Sequence, residues 1–133
     1  MNVAVCIDNN NGMLFNSRRQ SRDRILIENF LKTAEGNKIF ITDFSEKLFA
    51  DMNVIANNNC LEEAGENDFC FIESEDILPF SHKIKTIIIY KWNRVYPADF
   101  HFEMPEGFTL SEISEFQGSS HEKITKEVYI REK

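Results

Sequence analysis

The stretch Lys83–Lys133, KIKTIIIYKWNRVYPADFHFEMPEGFTLSEISEFQGSSHEKITKEVYIREK, decides how this chain folds. Within it, Thr86–Trp92 is apolar on both faces, as expected of a central strand covered by two layers. Phe108–Phe116 and Ile124–Arg131 read as a hairpin around the polar connection Gln117–Lys123. Working outward, Asn2–Asp8 (NVAVCID) reads as a buried strand at the very start. Lys38–Thr42, Asn53–Ala56 and Phe69–Ile72 add three more short strands.

Between these lie the helical signals. Ser21 is the expected N-cap of a helix reaching about Ala34, with Gly36 as its stop. Leu26, Ile27, Phe30, Leu31 and Ala34 supply its apolar stripe. Asp43, followed by Glu46, has the spacing of a capping box for a short helix Phe44–Asp51. Leu61–Ala64 and Ser74–Leu78, the latter ending before Pro79, suggest single turns, and Asn9–Gln20 reads as a loop. The order predicts one α/β domain over 1–133. It is a three-layer sandwich with a mixed, mostly parallel sheet and a C-terminal antiparallel hairpin.

Composition narrows the function classes. A net charge of −7 argues against a general binder of nucleic acid or anionic membranes, which needs a basic face. No apolar run approaches the roughly 20 residues of a membrane span, and no secretory leader is evident, so a cytoplasmic protein is expected. Cys6, Cys60 and Cys70 show no paired spacing and are expected to be reduced and structural. His82, His101 and His121 are scattered, so no metal site is predicted. Ser119, Ser120 and His121 adjoin one another, but the sequence offers them no partner acid.

In a parallel sheet, ligands bind outside the carboxyl ends of the strands. That edge should carry Asp8, Asn9, Thr42, Asp43, Asn57 and Glu73. They are either caps and loop formers or the lining of a polar pocket. Asp23, at the start of the first helix, is either a helix-start acceptor or a ligand carboxylate. Arg18, Arg19, Arg22 and Arg24 form the one basic cluster, with Arg18, Arg19 and Arg22 the candidate anion contacts. Arg24 has Glu28 available as a helix partner.

The opening strand, the long strand, the connection Ala98–Gly107 and the closing hairpin together resemble dihydrofolate reductase. Ala98–Phe102 (ADFHF) looks like that family's G-D-T-x-F. Gln20–Asp23 (QSRD) looks like its L-P-x-D, in which the acid binds a pterin, although the family's preceding aromatic would fall at Arg18. The resemblance implies NADPH as cofactor, held at two glycine-bearing helix starts. Those places here read Thr42-Asp43-Phe44-Ser45-Glu46 and Ile72-Glu73-Ser74-Glu75-Asp76. Carboxylates replace glycines, so like-charge repulsion and lost backbone approach both disfavour NADPH. Short chains of this outline are sometimes assigned to ribonuclease Z, but the two-zinc His/Asp motif of that class does not occur here.

The expectation is therefore a reductase-like fold without the reductase chemistry, binding a small polar ligand or a protein partner. Two alternatives are an enzyme acting on a pterin or nucleotide-like substrate through Asp23, and RNA contact through Arg18–Arg24. If Met13, Leu14 or Phe15 fill the groove beside the first helix, the non-catalytic reading is favoured. Self-association through an edge strand of the final hairpin is a further option, with Lys123, Lys126, Arg131 and Lys133 expected to blunt that edge.

Overall fold

The computed structural model describes residues 1–132. Its strands are β1 (Asn2–Ile7), β2 (Gly12–Phe15), β3 (Arg18–Arg19), β4 (Ile39–Ile41), β5 (Ile55–Ala56), β6 (Phe69–Phe71), β7 (Thr86–Lys91), β8 (Phe100–His101), β9 (Phe108–Phe116) and β10 (Ile124–Arg131). Its α-helices are α1 (Arg24–Thr33) and α2 (Cys60–Glu63), and 3-10 segments cover Asp43–Phe49 and Leu78–Lys83.

Seven strands form one sheet in the order β5-β4-β6-β1-β7-β10-β9. β5, β4, β6, β1 and β7 are mutually parallel, β10 is antiparallel to β7, and β9 is antiparallel to β10. Alternation along the strands sends side chains to two cores. Val3, Val5, Ile7, Cys70, Ile87 and Ile89 face α2 and the Leu78–Lys83 segment. Ala4, Phe69, Phe71, Ile88 and Tyr90 face α1 and the Asp43–Phe49 segment. On that second face Phe30, Phe49, Phe69 and Phe71 meet edge-to-face or tilted, with ring centroids 5.1–6.3 Å apart. The three layers are as expected, but the first face is covered by short pieces.

Four local readings change. Residues 9–20 are not one loop, because β2 and β3 form a small antiparallel sheet with β8, ordered β3-β2-β8. The helical turn expected over Ser74–Leu78 lies instead at Leu78–Lys83 and includes Pro79 in its first turn, where proline's fixed φ is suited. Ser21 does not cap α1; Asp23 does, in extended backbone, accepting from the Ile25 and Leu26 N–H groups. The Asp43/Glu46 capping box does not form: Thr42 occupies the N-cap without a side-chain bond, and Asp43 pairs with Asn58 instead.

Three of the basic residues expected to blunt the hairpin edge do not lie on it. Lys126 and Arg131 are on β10, which is flanked on both sides, and Lys123 lies in the connection. Lys133 falls outside the described residues. The edge strand itself is β9, where Leu110 and Ile113 are exposed.

Candidate functional site

The carboxyl edge of the sheet is built from buried carboxylates, each already supplied with donors. Asp8, just past β1, accepts from the Asn10 and Gly12 N–H groups at 2.8 Å each, from Gln20 Nε2 at 3.0 Å and from the Tyr96 N–H at 3.1 Å. Burial alone would raise its pKa, but the Gly12, Tyr96 and Asn10 N–H groups and Gln20 outweigh it and hold the carboxyl below its usual value. A Cβ on Gly12 would lie 2.6 Å from Gln20 Nε2 and 2.9 Å from Asp8 Oδ2, so this knot requires glycine there.

Glu73, after β6, is gripped by Arg19 in a two-pronged pair, Nε to Oε1 at 2.8 Å and a terminal nitrogen to Oε2 at 2.9 Å. Ser45 Oγ donates to the same Oε2 at 2.5 Å. Arg19 also donates to the Phe44 carbonyl and lies over the Phe44 ring, 5.0 Å from its centroid. The small sheet thus reaches across the edge and fills it with an arginine. Cys6 lines the same region; burial, with Glu73 adding to it, pushes its thiol well above the usual value, so it behaves as an inert hydrophobe.

Asp43 is exposed, away from these groups, and its hydrogen bond pushes the neighbouring Glu46 carboxyl above its ordinary value. Burial, helped by Glu62, raises that of Glu75. Both places where the resemblance puts cofactor phosphates therefore hold clustered carboxylates. The four predicted ligand candidates do not form one site. Asp8, Glu73 and Asp23 are each closed into a separate network, and Asp43 bonds Asn58.

Asp23 is the most heavily bonded of them, with 3% of its surface exposed. Oδ1 accepts from Ile25 N and Leu26 N of α1 and from Ser119 N at 2.9 Å. Oδ2 accepts from Ser120 N at 2.9 Å and faces His121 Nδ1 at 2.9 Å. The Ser119 and Ser120 hydroxyls approach as well, at 3.2 and 3.3 Å. Burial works against ionisation, but the Ser120, His121, Ser119 and Leu26 donors hold the carboxyl well below the usual carboxylate range. The β9–β10 turn can wrap the acid this closely because residue 118 is glycine: a Cβ would fall 2.3 Å from Asp23 Oδ2.

The basic run is divided. Arg19 is consumed by Glu73, while Arg18 lies exposed on β3. Arg22 and Arg24 flank an open cavity of about 340 Å³ together with Lys47, over Ile27, Leu48 and Met52. Arg24 is shared with Glu28 at 2.9 Å. The groove between β2 and α1, by contrast, is filled. Met13 and Leu14 are buried in the first core, Phe15 points outward, and two gaps of about 10 Å³ each remain beside Ser21 and Trp92.

Lys47, and the link from Asp23 to His121, are not legible in the sequence. Lys47 reads as an ordinary solvated lysine. Asp23 and His121 lie 98 positions apart, and the one local hint is the Gly118-Ser119-Ser120 run of small, donor-rich residues. No cluster of metal-ligating side chains occurs among the described residues.

This sheet order, with its closing hairpin and small second sheet, defines a dihydrofolate reductase-like fold. Among solved structures the chain is similar to the dihydrofolate reductase from Enterococcus faecalis complexed with NADP(H) and RAB-propyl, with a TM-score of 0.71, 9% identity, and coverage of 100% of this chain and 97% of that one. At that identity the likeness establishes the fold alone. No protein-family model and no curated protein matches the sequence.

Proposed function

We propose that this chain is a binding domain on the reductase fold, taking a small anionic ligand with an apolar body beside α1, without NADPH-dependent reduction. The observation that carries this reading is the open cavity itself. It gathers Arg22, Arg24 and Lys47 above Ile27, Leu48 and Met52 in a chain whose net charge is −7. Cations flanking an apolar floor suit an aromatic or aliphatic carboxylate, sulfonate or phosphate. The one acid in the lining, Asp23, is already bound by the α1 N–H groups and the Ser119–His121 turn, so its charge is largely compensated.

The groups that would meet NADPH do not fit it. Glu46 beside Asp43, and Glu73 beside Ser74 and Glu75, would face phosphates with carboxylates, and Arg19 is already neutralised. Pterin binding through Asp23 is disfavoured because its oxygens are fully engaged. RNA contact through Arg18–Arg24 is disfavoured because Arg19 points inward.

Calorimetric titration with 1-naphthalenesulfonate tests the reading. Saturable binding is expected, weakening with salt and disappearing in Arg22→Glu/Lys47→Glu. Absence of binding, or binding indifferent to that double variant, would refute it.

A further inference from the structure

Asp23, His121 and Ser21 stand in the order and spacing of an acid–base–nucleophile chain. Asp23 Oδ2 lies 2.9 Å from His121 Nδ1, and His121 Nε2 lies 2.9 Å from Ser21 Oγ. The three residues come from the start of α1, the β9–β10 turn and the segment before the helix, 98 and 100 positions apart. Such a constellation is recognised by geometry and roles, not by sequence order.

The surroundings fix each role. Nδ1 faces an ionised carboxylate, so it carries the imidazole proton and leaves Nε2 as the acceptor for the serine hydroxyl. The ring cannot swing, because it stacks on Trp92 at 4.6 Å between centroids with 28° between planes. The turn holding it is tied to Asp23 by Ser119 and Ser120 N–H and closed by Gly118 N–H to the His121 carbonyl at 2.9 Å. His121 and Asp23 are buried, whereas Ser21 is partly exposed. Tyr96 Oη lies 3.3 Å from the same Nε2. It is the weaker donor to that lone pair while the imidazole is neutral.

We propose that Ser21 is an activated nucleophile toward short-chain carboxylic esters, with His121 as its general base, Asp23 as the positioning residue and Tyr96 as the oxyanion donor. Ser21 Oγ bonds to the ester carbonyl carbon as its proton passes to His121 Nε2. Nε2 is then an N–H donor, so the Tyr96 O–H is released from it and turns to the new oxyanion. Collapse breaks the bond to the leaving alkoxide or aryloxide, which takes the proton from Nε2, and leaves Ser21 acylated. Water then attacks the acyl carbon, giving its proton to Nε2, and Ser21 departs with that proton. The two gaps lined by Ser21 measure about 10 Å³ each, room for about one water and not for an acyl group, so the ester must reach Ser21 from its solvent-exposed side. The inference is independent of an anion in the larger cavity.

p-Nitrophenyl acetate and a fluorophosphonate probe test it. One p-nitrophenolate per chain is expected in a burst, with the phosphonate located on the peptide containing Ser21 by mass spectrometry. Both are lost in Ser21→Ala, whose melting midpoint is unchanged. Asp23→Asn lowers kcat by about a hundredfold or more without raising KM, Tyr96→Phe lowers it less, and imidazole restores turnover to His121→Ala. Labelling of the natural chain no faster than that of Ser21→Ala, or a burst that survives Ser21→Ala, overturns the proposal even if the buried variants fail to fold.

Discussion

Two ends of one basic segment meet opposite fates. Arg19 crosses the sheet edge, stacks on Phe44 and is neutralised by Glu73. Arg22, a few residues on, stays exposed beside Lys47 above an apolar floor. In sequence the two are equivalent cations. What separates them is the partner each meets: a buried carboxylate in one case and solvent in the other. A charge cluster read from sequence predicts a site only after internal neutralisation has been subtracted.

The largest way to disturb the open end is Gly118→Ala. Its Cβ would collide with Asp23 Oδ2, so the turn must move off the carboxylate, and a loss of about 3 kcal/mol is expected by chemical denaturation. A loss below about 1 kcal/mol would mean the turn is not held by that acid. At the closed end, Arg19→Ala should cost about 2 kcal/mol, because Glu73 is left buried and unpaired. Arg19→Met/Glu73→Met should recover most of that loss, since an apolar pair removes the desolvation penalty as well as the attraction. If the double variant is as unstable as the single one, the pair contributes more than mutual neutralisation.

Acid titration sharpens the comparison further. Asp23 and Asp8 both have folded pKa values below their ordinary ones. Their stabilisation is therefore complete above about pH 4, the unfolded carboxylate range, and is lost as pH falls through the folded values. Asp23→Asn should flatten the stability–pH slope below about pH 4 and leave the slope above it unchanged. The smallest effect belongs to Arg22→Glu/Lys47→Glu, which should alter stability by no more than about 0.5 kcal/mol while abolishing sulfonate binding.

β7 was legible because burial on both faces demands an apolar run, and the hairpin strands Phe108–Phe116 and Ile124–Arg131 have the predicted bounds although β9 is exposed along most of its length. The helix cap was not. Ser21 and Asp23 are both good cap types, and the choice between them is made by the Ser119–His121 turn arriving from the far end of the chain. The small sheet escaped detection because β3 and β8 have two residues each and pair only through tertiary contact. Each candidate carboxylate was correctly placed at a strand or helix end. Whether its oxygens were free depended on donors that only folding brings near.

The central proposal is that the sheet edge does not receive a pyrophosphate cofactor, and calorimetric titration of the natural chain with NADPH tests it most directly. The account predicts no saturable heat, or a weak one that vanishes in Arg22→Glu/Lys47→Glu and so belongs to the open cavity. Saturable binding that survives that double variant but is lost in Asp43→Arg or Glu73→Arg would contradict it.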